Sequence, residues 1–239
     1  MQISYTGKVV LVAGGTGGLG RSVSLAFLSE DATVVATYRN EQGFAALKTA
    51  AGAHASRLEG SQTDVTDESA VRALVESIVA KHGRVDVVVN TIGAYAGGIK
   101  LWELDPKVFE RMLDLNLRTG FVLARLAVPA MLKQGSGVLI NIAAKAAFDH
   151  AAGASAYATS KAAAVALMDC LAADLKGTGV RVNTLLPSII DTEPNRRAMS
   201  GAAFDQWPKP EEISQVILFL SSDQARVVHG ASIPVYGKS

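Results

Sequence analysis

K-V-V-L-V-A-G-G-T-G-G-L-G, residues 8–20, is the stretch from which the rest of the chain can be read. Residues 8–13 are apolar and rich in valine, the composition of a short strand buried on both faces of a parallel sheet. Glycines fill most of 14–20, and a helical pattern over 21–29 follows. A strand, a glycine turn and a helix N-terminus make an anion site. The backbone can approach closely without Cβ atoms, and free N–H groups point at the ligand. Two spacings coexist: Gly15, Gly17 and Gly20 fit G-x-G-x-x-G, and Gly14, Gly18 and Gly20 fit G-x-x-x-G-x-G. Between a strand and a helix either one predicts a dinucleotide site, with Thr16 and Leu19 inside the turn. The plainer alternative is a flexible turn.

The second strand is 32–38, A-T-V-V-A-T-Y. A carboxylate at its end would hydrogen-bond a ribose 2′-hydroxyl, but Tyr38 is followed by Arg39 and Asn40. An arginine here can pair with a 2′-phosphate, so NADP(H) is favoured over NAD(H), with a solvated Arg39 as the alternative. A third strand ends near Gln62. Asp64 then caps the turn into a helix over 68–82, for which Asp67 is a good N-cap. The fourth strand, 85–90, runs into T-I-G-A-Y-A-G-G, a loop at a strand's carboxyl end, where ligands lie in open parallel sheets.

Asp105 and Pro106 open a long helix through Met131. Asn116 is a poor choice inside it, and either bends the helix, holds water or faces solvent. The fifth strand is 138–143 and the sixth is 180–186, ending at Pro187. Residues 188–210 carry Pro194, Pro208 and Pro210 with Phe204 and Trp207; this is long for a connection and predicts a substrate lid. A helix over 211–221 and a strand over 231–235 complete the chain. Strands alternate with helices without a linker. The expectation is a single domain over 1–239: α/β, Rossmann-type and doubly wound, with a mostly parallel seven-stranded sheet.

Charged residues make up 19% of the chain and apolar ones 49%, which argues for a well-buried globule and against disorder. Net charge is +1 with no basic cluster, so nucleic acid and membrane surfaces are not expected partners. The single Cys170 allows no intrachain disulfide and reads as a small core residue. No apolar stretch is read as reaching membrane-spanning length and no cleavable leader is seen, so a cytoplasmic protein is expected. No metal site is expected.

Residues 144–161, A-K-A-A-F-D-H-A-A-G-A-S-A-Y-A-T-S-K, carry the chemistry. The Ala-rich run 155–176 predicts a helix. Tyr157 and Lys161 then share one face, roughly 6 Å apart along the axis. A phenol has a pKa of about 10. An ammonium at roughly 5 Å would favour the phenolate by about 3 kcal/mol at an effective dielectric of about 20. That is about two pKa units and suits the tyrosine to proton transfer near neutrality. A half-buried tyrosine beside a solvated lysine is the bland alternative.

Gly14 with Gly18 and Gly20, Asp64, Asn90 with Gly93, Asn116, Tyr157 with Lys161, and Pro187 with Thr192 together resemble the short-chain dehydrogenase/reductase family over essentially the whole chain. The resemblance implies that Tyr157 donates the proton, while Lys161 lowers its pKa and holds the nicotinamide ribose. Asn116 would anchor a water leading from Lys161 to solvent. Asp64 would touch the adenine, Asn90 and Gly93 would line the cofactor, and Thr192 would contact the carboxamide. Val65 and Pro187 would belong to the same cofactor site. It also implies a small-molecule substrate and a homodimer or homotetramer, with the helices over 106–131 and 155–176 as candidate subunit contacts.

One position departs from the family pattern. The usual serine thirteen residues before the tyrosine is Ala144, and its neighbour Ala143 offers no hydroxyl either. Losing such a donor typically costs about 2.7–4 kcal/mol of transition-state stabilisation. The stretches A-A-K-A-A-F-D (143–149), G-A-Y-A-G-G (93–98) and 186–207 are similar to the dihydropteridine reductase branch of the family. That branch has Ala at the serine position, and Trp where this chain has Tyr95. The implied activity is NAD(P)H-dependent hydride transfer to a small conjugated substrate such as a quinonoid dihydropterin. Two alternatives stay open. One is a general carbonyl or 3-oxoacyl reductase in which Ser155 or Thr91 replaces the missing donor. The other is a non-catalytic cofactor-sensing protein.

Overall fold

The computed structural model describes residues 3–238. Its sheet is built from β1 (Val9–Ala13), β2 (Thr33–Tyr38), β3 (Leu58–Gln62), β4 (Val87–Asn90), β5 (Gly137–Ile142), β6 (Val180–Pro187) and β7 (Ser232–Val235). The strand order is 3-2-1-4-5-6-7, and every pairing is parallel. Residue alternation along a strand separates two cores. Val10 and Val12 face a cluster with Phe27, Leu28, Ile213 and Ile217, whereas Val9, Leu11 and Ala13 face one with Val75, Leu123, Met131 and Met168. Covered on both faces, the central strands β1, β4 and β5 are buried throughout and carry apolar runs, whereas the edge strand β3 is polar and partly exposed.

The helices are α1 (Gly18–Ser29), α2 (Glu41–Ala51), α3 (Glu68–His82), α4 (Pro106–Leu113), α5 (Thr119–Gln134), α6 (Ser155–Asp174), α7 (Glu193–Ala198) and α8 (Pro210–Ser221). Asp67 caps α3 by accepting from the Ser69 and Ala70 amides, and Gly83 ends it in the left-handed region. Strand order reverses between β1 and β4, which opens a crevice at their carboxyl ends. There Thr91 Oγ1 donates to the Ala13 carbonyl at 2.7 Å and joins the two strand ends.

Three expectations need correction. The long helix from Pro106 is unbroken but not uniformly wound: a π turn over Asp114–Arg118 joins α4 to α5, and the helical run extends past Met131 to Gln134. That run, Pro106–Gln134, is long and apolar enough to cross a membrane by length and composition, contrary to the sequence reading. Half of its most apolar window is nonetheless buried, and Val122, Leu123, Ala127 and Met131 pack on the sheet, so its apolarity is that of a core helix. Cys170 is exposed rather than buried. The inward face of α6 carries Ala164, Val165, Met168 and Ala172, and a residue two past Met168 points the other way.

The segment 188–210 is not a bare loop. It contains α7 and a 3-10 turn over Phe204–Gln206. Arg196 pairs with Asp191 and lies 5.0 Å from the centre of the Phe204 ring, while Trp207 is buried. The Lys238 amide donates to the Gln206 carbonyl at 2.9 Å, so the C-terminal end braces the same segment.

Candidate active site

The glycine turn is shaped by contacts that a side chain would block. Gly14 has φ +77°, and a Cβ on Gly20 would lie 2.1 Å from the Gly14 carbonyl oxygen. Thr37 Oγ1 accepts from the Gly14 amide at 2.8 Å and the Thr37 carbonyl from the Gly15 amide at 3.0 Å, which pins the turn to β2. Gly17, the N-cap of α1, offers no side-chain cap to the first helical amides. Those amides, on exposed Gly18 and on Leu19 and Gly20, are a ready anion cradle. A dinucleotide pyrophosphate fits this geometry. Leu19 can contribute only through its backbone, because its side chain belongs to the core. Thr16 lies beside the start of α2.

Arg39 follows β2 and is exposed, and no salt bridge among the described residues holds it. Its carbonyl accepts from Gln62 Nε2 at 2.9 Å. Glu41, the next acid along the chain, is occupied by the Tyr38 hydroxyl at 2.7 Å. Asp64 is exposed, and its Oδ1 accepts from the amide and hydroxyl of Thr66 at 2.9 and 2.7 Å. Those bonds, with a smaller contribution from Arg39, hold its carboxyl below the usual range. The Val65 side chain is buried in the core. Pro187 ends β6 beside β7, and the Thr192 side chain packs against Gly18, which brings the start of the 188–210 segment to the glycine turn.

Tyr157 and Lys161 project from the first turns of α6 beside the end of β5. Lys161 is buried, and its Nζ donates to the Ile142 carbonyl at 2.9 Å. Burial lowers its pKa to about 8. Burial and, secondarily, Tyr95 push the Tyr157 phenol up to about 12. The lowering expected from the sequence is thus reversed in this arrangement. The lysine head group is directed to a backbone carbonyl, and desolvation of the phenol dominates.

Asn116 neither faces solvent nor acts alone. It sits buried in the π turn, where its Oδ1 accepts from the Ala94 amide at 2.9 Å. Its Nδ2 donates to the Ala94 carbonyl at 3.0 Å and to Ser160 Oγ at 2.9 Å. One side chain therefore staples the loop after β4 to α6. A Cβ on Gly93 would lie 3.0 Å from both Asn116 Oδ1 and Lys161 Nζ, so this loop closes directly over the pair. Asn90 Nδ2 donates to Asn141 Oδ1 at 2.9 Å across the β4–β5 register.

Ser160, Asn141 and Tyr95 were not singled out by sequence reasoning as site residues. The two asparagines, Asn90 ending an apolar run and Asn141 interrupting one, were the available signal for the β4–β5 pair. Ser160 carries no such mark, whereas Tyr95 was marked by its place in the loop after β4 and by standing where the resembled branch has Trp, but was given no role. The Tyr95 and Tyr157 rings meet edge to face with centroids 5.0 Å apart.

Ala144, at the serine position, is buried at 5% exposure. The two substitutes considered from the sequence differ. Thr91 Oγ1 is committed to the Ala13 carbonyl, and Ser155 Oγ is buried without a hydrogen-bond partner among the described residues.

The family model described as short chain dehydrogenase matches residues 8–203. A 3-oxoacyl-(acyl-carrier-protein) reductase, FabG, of Thermotoga maritima is 31% identical over 239 residues, covering 97% of this chain and 97% of its own. A 7α-hydroxysteroid dehydrogenase complexed with NADH and 7-oxo glycochenodeoxycholic acid superposes with a TM-score of 0.91 at 28% identity, over 100% of this chain and 96% of that one. ElxO with NADP bound superposes with a TM-score of 0.91 at 25% identity, over 96% of this chain and 97% of that one.

Proposed function

The chain belongs to the short-chain dehydrogenase family, and from that premise we propose that it is an NADPH-preferring reductase of a small, conjugated, easily reduced substrate, of which a quinonoid dihydropterin is the model. One observation carries the reading: Tyr157 stands beside buried Lys161 while the position that usually supplies an oxyanion donor carries only the methyl of Ala144. Charge delivered to a conjugated ring spreads over several atoms, and such a substrate depends less on one preorganised donor.

When bound, the reduced nicotinamide supplies the hydride. The amides of Gly18, Leu19 and Gly20 would hold the pyrophosphate, and Arg39 a 2′-phosphate. Asp64 and Val65 would lie at the adenine end, and Asn90, Gly93, Pro187 and Thr192 at the nicotinamide end. Tyr157 would donate its proton to the substrate atom that gains charge. A phenol held near 12 is protonated at neutral pH and so carries the proton to be given up, but it is a weaker acid than an unperturbed tyrosine. Lys161 would stabilise the phenolate left behind, and Asn116 would keep the loop and α6 in register around it. The 188–210 segment, seated on the glycine turn through Thr192, would act as a lid that keeps water from the reacting atoms.

A second reading, reduction of a 3-oxoacyl or other simple carbonyl, is favoured by the Thermotoga maritima relative. Cofactor oxidation with quinonoid dihydropterin and with a 3-oxoacyl thioester, each run with NADPH and NADH and corrected for the uncatalysed rate, separates the two. Turnover of the pterin alone supports the first reading, and turnover of the thioester alone replaces it with the second. Binding of cofactor without turnover of either would favour the sensor.

A homodimer or homotetramer is part of the proposal, with contacts on the outward faces of α5 and α6. Phe121 and Leu132 are exposed on α5, and Thr159, Ala162, Ala163 and Ala166 line a groove on α6 beside exposed Trp102. A monomeric mass of 24.9 kDa in light scattering would refute it.

A further inference from the structure

The site has lost one hydroxyl and holds another that the family pattern does not explain. Ala143 and Ala144 carry none, Thr91 is locked under the glycine turn and Ser155 Oγ is buried. Ser160 Oγ donates to the Tyr157 carbonyl and accepts from Asn116, and Ser188 Oγ donates to the Tyr236 carbonyl. Tyr95 remains. It lies on the loop at the carboxyl end of β4, its ring stands edge to face against Tyr157 at 74°, and it is 69% exposed. No protein hydrogen bond among the described residues takes its hydroxyl.

Its position is also specified. A Cβ on Gly97 would fall 2.1 Å from Tyr95 Oη, so the phenol lies folded back over a residue whose missing side chain makes its place. The loop that bears it is held from both sides. Asn116 grips Ala94, and the Ile99 amide donates to the Gly153 carbonyl at 3.3 Å. A large aromatic residue held on a braced loop, against the proton donor and open to solvent, is placed to meet a ligand that reaches Tyr157.

We infer that Tyr95 is a second substrate-binding phenol, whose hydroxyl donates to the substrate acceptor atom in place of the donor missing at position 144. Tyr95 gives up no proton overall: it stabilises the charge, and the proton comes from Tyr157. The inference rests on the reductase reading for its catalytic part, but its binding part stands apart from turnover.

The test uses the full chain and the variants Tyr95→Phe, Gly97→Ala, Ala144→Ser and Tyr95→Phe/Ala144→Ser. Turnover of quinonoid dihydropterin and of a 3-oxoacyl thioester is measured beside fluorescence binding of oxidised pterin to the NADP⁺-loaded protein. Tyr95→Phe should lower kcat roughly ten- to a hundredfold and weaken pterin binding several-fold, with NADPH affinity unchanged. Gly97→Ala keeps the hydroxyl but displaces it, and should follow in the same direction. Ala144→Ser should change the wild-type rate little yet restore most of the loss in the Tyr95→Phe background.

Turnover and pterin binding both unchanged in Tyr95→Phe would overturn the inference while leaving the reductase reading intact. A loss that Ala144→Ser does not rescue would also overturn it, by reducing Tyr95 to an apolar wall. If the wild-type chain turns over neither substrate, the reductase reading fails. Pterin binding then decides alone: weaker binding by Tyr95→Phe supports the inference, and equal binding overturns it.

Discussion

Lys161 Nζ donates to the carbonyl oxygen of Ile142 at 2.9 Å, joining α6 to the last residue of β5. The ammonium is buried, and burial lowers its pKa to about 8 from an ordinary value near 10.5. Between those values the unfolded chain holds the proton more tightly than the folded one. The burial penalty is therefore full below pH 8 and is relieved as pH rises toward 10.5. Relative to Lys161→Met, the wild-type chain should gain about 2–3 kcal/mol of stability over that window. Urea unfolding of both chains at pH 7, 8, 9 and 10 reads the difference, and a flat difference would contradict the assignment.

Gly20 and Gly17 belong to the same turn but differ in what a methyl would meet. On Gly20 it would strike the Gly14 carbonyl oxygen at 2.1 Å, and on Gly17 it would stand 3.3 Å from that same atom. Gly17 also has an ordinary φ of −73°. Gly20→Ala should cost about 3 kcal/mol or more, with loss of cofactor binding, whereas Gly17→Ala should cost about 1 kcal/mol or less. Thermal unfolding and NADPH titration of the two variants check this.

Asn116 satisfies the Ala94 amide, the Ala94 carbonyl and Ser160 together in a buried place. Removing it leaves three polar groups without that partner. Asn116→Ala should destabilise the chain by about 2–4 kcal/mol and loosen the loop that carries Tyr95. Chemical unfolding gives the first effect, and hydrogen exchange at residues 94–99 gives the second.

Arg39 is exposed after β2, where no acid pairs with it. Arg39→Ala should weaken NADPH binding roughly tenfold to a hundredfold while leaving NADH within about twofold. Nicotinamide fluorescence titrations measure both. Equal losses for the two cofactors would place Arg39 away from the 2′ position.

The sheet and its glycine turn could be read from residues 8–29 because burial on both faces leaves unbroken valine-rich runs, and only glycine fits so close a turn. Helix α3 was readable to the residue, since Asp67 and Gly83 mark its ends locally. The π turn at Asn116 was not, because its partners Ala94 and Ser160 lie far away in the chain. Tyr157 and Lys161 were singled out by their spacing, but the direction of the Tyr157 shift was not anticipated. Spacing places two groups on a face and says nothing of the Ile142 carbonyl or of how much water is excluded. Cys170 was misplaced because an alanine-rich helix shows little contrast between its two faces. The Tyr95–Tyr157 contact depends on how the loop after β4 meets the start of α6, which no local pattern encodes.

The central claim is that Tyr157 donates the proton in a reductase that works without a hydroxyl at position 144. Its most direct test is NADPH oxidation by the wild-type chain and Tyr157→Phe with quinonoid dihydropterin, alongside NADPH binding to both. We predict ready turnover by the wild-type chain, a fall in kcat of roughly a hundredfold or more in Tyr157→Phe, and NADPH affinity equal within about twofold. Equal turnover by the two chains, or no turnover by a wild-type chain that binds NADPH, would contradict it.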